Sequence, residues 1–117
     1  MKRAVLPIVG MLAIACAPTA HASSLWGAIA YFSDSQHGRF SDYGTQTQLI
    51  LDIQNSWQGA GYVTFPSGKC GAVASYPLLG STKFSTGTGA SLDAATSQAI
   101  AGAVTEKYFL LDAFCQR

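Results

Sequence analysis

Trp26-Gly27-Ala28-Ile29-Ala30 recurs as Cys70-Gly71-Ala72-Val73-Ala74, and the same offset of 44 residues carries Arg39-Phe40-Ser41 onto Lys83-Phe84-Ser85. Two matches at one spacing, each strand-like, point to a duplicated supersecondary unit. Any fold for this chain must therefore place two similar pieces around one core. The expected division is a leader at 1–22 and a single duplicated domain at 23–117, with a first unit at 25–65 and a second at 70–115.

The leader reads as targeting. Lys2-Arg3 forms a positive start, Ala4 to Ala15 an apolar run too short to span a bilayer, and Ala20-His21-Ala22 a small-x-small site, so cleavage is expected after Ala22. A rival reading takes Leu12 to Cys16 as a lipobox, with Cys16 as a lipidated N-terminus. Either route takes the chain out of the cytoplasm, with the periplasm the expected compartment. No other stretch approaches the roughly 20 apolar residues of a membrane helix.

Cleavage would leave 95 residues, enough for one small core. Arg39, Lys69, Lys83, Lys107 and Arg117 then face six acidic residues, a net charge near −1. Without a basic stripe, nucleic acid is not an expected partner. Cys70 and Cys115 would remain as an even pair in an oxidising compartment, so a bridge between them is expected. The rival is a redox or metal-binding pair, but no histidine lies near either cysteine in sequence.

Along the mature chain, Leu25 to Phe32 and Arg39 to Tyr43 read as a hairpin around a polar turn. Thr45 and Gln48 fit a capping box, and Leu49, Ile50, Ile53 and Trp57 share a helical face. Tyr62 to Phe65 is the third strand. The second unit repeats the order: a strand at Cys70 to Tyr76, a loop at Pro77 to Gly80 and a strand from Ser81 to Thr86. Gly87-Thr88-Gly89 then leads into a helix capped by Ser91, and Tyr108 to Phe114 is the last strand. Leu92, Ala95, Ala99, Ile100 and Val104 are expected on the buried side of that helix. The expected fold is α+β: a duplicated β-β-α-β unit forming one six-stranded, mainly antiparallel sheet, with both helices on one face.

The two Gly-Ala-aliphatic-Ala openings, each followed by a hairpin, a capped helix and an apolar strand, resemble the domain of unknown function 4189 family of exported bacterial proteins over about residues 25 to 115. Members of that family typically carry a further cysteine pair, one ending the first helix and one beginning the next strand. Trp57 and Gly59-Ala60-Gly61 stand there instead, so this chain keeps one bridge of the two. The resemblance implies a small exported domain with no established catalytic activity. Some members are similar to periplasmic immunity proteins, encoded beside the antibacterial effectors of secretion systems.

Chemistry has few candidates. His37 with Asp34 and Ser33 or Ser35 suggests a nucleophile, base and orienter, but residues crowded on one turn rarely converge as a triad needs. Gly87-Thr88-Gly89 lacks the lysine and spacing of a phosphate loop. Trp26, Tyr31, Tyr43, Trp57, Tyr62 and Tyr76 could make a sugar-stacking platform, although strand and helix-face positions favour core packing.

The repeat itself offers a sharper signal. At the common offset, Ser33-Asp34-Ser35-Gln36 corresponds to Pro77-Leu78-Leu79-Gly80, a polar tip against an apolar one. Apolar residues on a loop tip either mark a protein-binding site or fold back to cap the core or a helix end; Tyr76, Pro77, Leu78 and Leu79 are the expected partner-binding residues. The expected function is that of a non-enzymatic immunity-type inhibitor. It would neutralise a cognate effector with a sheet edge and this loop, and it needs no cofactor or metal. The alternative is a cell-envelope module that binds peptidoglycan or self-associates, as a homodimer, through an edge strand.

Overall fold

The computed structural model describes residues 24–117; the leader, its expected cleavage point at Ala22, and Cys16 lie outside the described residues. The elements are β1 (Trp26–Tyr31), β2 (His37–Tyr43), α1 (Gln46–Ser56), β3 (Gly61–Pro66), β4 (Lys69–Leu78), β5 (Ser81–Gly89), α2 (Leu92–Ala101) and β6 (Phe109–Gln116). Strand, strand, helix, strand thus occurs twice.

Both helices start where local chemistry dictates. Thr45 and Ser91 are extended N-caps whose hydroxyls accept from the Gln48 and Ala94 amides at 3.1 Å. The buried side of α1 is Leu49 and Ile53. That of α2 is only Ala95 and Ala99, because the helix stops at Ala101 and leaves Val104 exposed in the following segment. Leu92 is also half exposed, against expectation.

The expected single six-stranded sheet is not what forms. The strands make two three-stranded antiparallel sheets, ordered β2-β1-β3 and β5-β4-β6. These stack face to face, with α1 and α2 on the two outer faces rather than on one. The reason is the apolar load of the central strands. In β1, Ala28 and Ala30 pack under α1 with Leu49 and Ile53, while Ile29 points the other way and joins Val63, Phe65 and Val73. In β4, Ala72 and Ala74 pack under Ala95 and Ala99, and Val73 faces the inter-sheet core. Central strands that are apolar on both faces need cover on both faces. One sheet with both helices on one side would leave Ile29, Val63, Phe65 and Val73 in water.

Two further boundaries differ from expectation. β4 runs on to Leu78, so the expected loop at Pro77 to Gly80 contracts to a two-residue turn, Leu79-Gly80. β5 continues through Gly87-Thr88-Gly89 instead of ending at Thr86. Gly87 pairs with Ala72, and a Cβ there would lie 2.3 Å from the Ala95 carbonyl oxygen and 2.5 Å from the Ala99 nitrogen, so only glycine lets α2 sit this close. Cys70 and Cys115 are direct partners across β4 and β6, with sulfur atoms 1.93 Å apart, and tie the last strand to the centre of its sheet.

Candidate partner-binding end

Register defines one end of the sandwich. Tyr31 at the end of β1 faces Gly61 at the start of β3, and Ser75 near the end of β4 faces Phe109 at the start of β6. The two hairpin tips meet there: Ser35 of the β1–β2 turn lines a cleft of about 230 Å³ with Ser75, Tyr76, Pro77, Thr82 and Phe109. The polar and apolar tips, the places where the two units differ most, therefore belong to one surface.

Tyr76, Pro77 and Leu78 lie on the last residues of β4, and Leu79 occupies the turn. Leu79 is 96% exposed and has φ of 53°, with Gly80 at 82°. Positive φ at both turn residues suits the twist of a two-residue hairpin, but asparagine, aspartate or glycine normally fills the first position. A leucine there carries backbone strain of about 1 kcal/mol and presents its whole side chain to solvent.

The same end holds apolar residues that the sequence reading passed over. Phe109 is 70% exposed and Val104 67%, with Tyr108 and Leu110 also open. Their signal was the run Tyr108-Phe109-Leu110-Leu111, four consecutive apolar residues where a strand with one wet face alternates. Leu111 is the extra residue of a bulge between the Val73–Asp112 and Ala74–Leu110 pairs, and packs inward beside Val63 and Val73.

The polar turn is held by its own backbone. Asp34 Oδ1 accepts from the Gln36 amide at 3.1 Å, and His37 Nδ1 lies 3.1 Å from the Ser35 carbonyl oxygen. His37, Asp34 and the serines do not join into a relay. Among the described residues no three of His, Cys, Asp and Glu gather as metal ligands would. Nor do the aromatic residues form a platform: Trp26, Tyr43, Trp57 and Tyr62 pack against the α1 cluster, Tyr31 against the inter-sheet core, and Trp57 stacks on Phe32 at 5.1 Å. Burial pushes the Tyr31 phenol up from its ordinary value; for Tyr43, donation to Asp52 does the same.

The rims of the sandwich are unequal. Where β2 meets β6, Arg39 Nε and Nη2 donate to Asp112 Oδ2 and Oδ1 at 2.8 and 2.7 Å, and the guanidinium lies 4.9 Å above the Phe114 ring. The hydrogen bonds from Arg39 hold the Asp112 carboxyl below its ordinary range. Further along, the buried Gln116 amide accepts from the Asp42 N–H and donates to the Asp42 carboxylate, both at 2.9 Å. The opposite rim, between β3 and β5, is open. It holds a cleft of about 350 Å³ lined by Tyr31, Ser33, Gly61, Thr82 and Phe84, and another of about 380 Å³ near Pro66 and Thr88.

No protein family, curated protein or solved structure matches the chain. Among the described residues no helix is long and apolar enough to cross a membrane.

Proposed function

We propose that the protein is an exported immunity-type inhibitor that binds a cognate antibacterial effector through the end of the sandwich formed by Tyr76, Pro77, Leu78, Leu79, Phe109 and Leu110. The observation that carries this reading is Leu79, a large apolar side chain held fully in solvent on a strained backbone. Strain of this kind persists where function selects it, and exposed apolar side chains gathered at one end make a protein-binding patch. The fold supports the reading mechanically, because Leu79 stands on a hairpin whose outer strand is braced by α2. An anchor already in place loses little entropy on binding.

The bonded cysteine pair suits an oxidising compartment, and the family resemblance adds the periplasm and an effector encoded by the adjacent gene. The test is calorimetry between this protein and the product of that gene. Leu78→Asp combined with Leu79→Asp should weaken the complex by about 100-fold or more while the variant keeps a cooperative thermal melt, showing that it remains folded. Undiminished affinity in the double variant would refute the assignment.

A further inference from the structure

The open rim leaves β5 as an edge strand whose hydrogen-bonding phase can be read. Leu78 and Ser81 flank a two-residue turn, so they form the closing bonded pair of the hairpin, and alternation turns the backbone groups of Thr82, Phe84, Thr86 and Thr88 away from β4. Thr88 fixes this phase, since its N–H donates to Gln98 Oε1 on α2 at 2.7 Å. That bond also caps the edge. Three outward positions remain, Thr82, Phe84 and Thr86, bounded by the turn on one side and by Gln98 on the other.

We propose that this edge is a homodimer interface, with β5 of one copy pairing antiparallel to β5 of a second about a two-fold axis at Phe84. Three observations select a second copy as the occupant. First, the open positions are symmetric: only this register pairs all of them with one another, Phe84 with Phe84 and Thr82 with Thr86. Second, the charges complement. Lys83 faces Tyr76 on the outer face and in the dimer stands opposite Ser85 of the other copy, whose hydroxyl donates to the Ala99 carbonyl at the C-terminus of α2. That helix has no basic residue in its last turn, so each Lys83 supplies the cation that the other copy's helix end lacks. Third, space is available. Helix α2 lies over the part of β5 from Ser85 to Gly89, so antiparallel pairing sets the two helices over opposite halves of the joined strands. The Tyr31–Phe84 cleft opens beside the axis, where the two Phe84 rings meet.

Sedimentation of the purified protein over a range of concentrations tests this independently of effector binding. The expected result is a reversible dimer. Thr86→Pro removes an outward N–H that β4 does not use, a change edge strands accept, and should give a monomer. Lys83→Glu puts a like charge at the helix end and should weaken the dimer at least tenfold. Should Thr86→Pro not fold, amide exchange decides: the Thr82, Phe84 and Thr86 amides should be slow in the concentrated native protein and fast in Lys83→Glu. A monomer at all concentrations, or a dimer that survives Lys83→Glu with those amides still fast, would overturn the proposal.

Discussion

At the scale of single residues, the two most informative positions pull in opposite directions. Leu79 sits in a backbone conformation that asparagine tolerates and leucine does not. Leu79→Asn should therefore stabilise the fold by about 1 kcal/mol, which for a domain of this size raises the melting temperature by about 4–8 °C. It should at the same time weaken the proposed effector complex. A scanning-calorimetry trace that moves up while affinity moves down is the expected signature, and an unchanged melting temperature would remove the strain argument. Arg39 acts on stability alone. Because it holds the Asp112 carboxyl below its ordinary range, its contribution is present above the unfolded carboxyl value of about 4 and is lost as pH falls through the lower folded value. With Arg39 more than half exposed, solvent screening limits the bidentate pair to about 0.5–1 kcal/mol. Melting curves of Arg39→Ala and the native protein should differ at neutral pH and converge in acid. A gap that persists at the most acidic pH would mean that Arg39 acts through its packing on Phe114.

At the scale of elements, α2 sits close against β5, and that approach depends on Gly87. Gly87→Ala would drive a methyl into helix backbone that cannot yield, so a loss of about 2–3 kcal/mol is expected. Gly44→Ala, with open space around the added carbon, is the control and should leave the urea midpoint in place. The disulfide acts on the neighbouring strand. Reducing Cys70–Cys115 should cost about 3–4 kcal/mol through the freed unfolded chain and should loosen β6 before the rest, which amide exchange would resolve. These elements also mark what could be read in advance. Both helices and their Thr45 and Ser91 caps follow from short-range pattern, as does the cysteine pairing from its parity. The division into two sheets does not, because strand pairing is a long-range choice. The clue was Ala28-Ile29-Ala30, where consecutive apolar residues demand cover on both faces. Helical periodicity extends to Val104, but it alone does not show that α2 ends at Ala101. Leu78 and Leu79 stood out by comparison with the polar twin tip; Phe109 and Leu110, which register brings beside Tyr76, have no such comparison, since strand ends pair over long distances.

At the scale of the whole molecule, the inner faces of the two sheets bind the units into one folding event. Phe65 is fully buried on β3, yet it packs on Phe114 of the second unit and fills the space that a Cβ on Gly71 would take. Each unit thus supplies a helix for its own outer face and depends on the other for its inner one. Within residues 24–67 only the half-buried Tyr31 packs against Ile29, Val63 and Phe65, and within 69–117 only the partly buried Phe84, Leu111 and Phe114 join Val73, so each inner face is completed by the other unit. A three-stranded sheet with one helix and a fully wet apolar face does not bury enough surface to offset the entropy of ordering its chain. Residues 24–67 produced alone should show no native circular dichroism and no dispersed amide spectrum, whereas mixing them with residues 69–117 should restore both. The same coupling predicts that Phe65→Ala lowers stability by about 3–5 kcal/mol in a single transition seen equally by probes in either half. A fragment that folds alone, or two separable transitions in the variant, would show that the units are independent domains rather than two halves of one core.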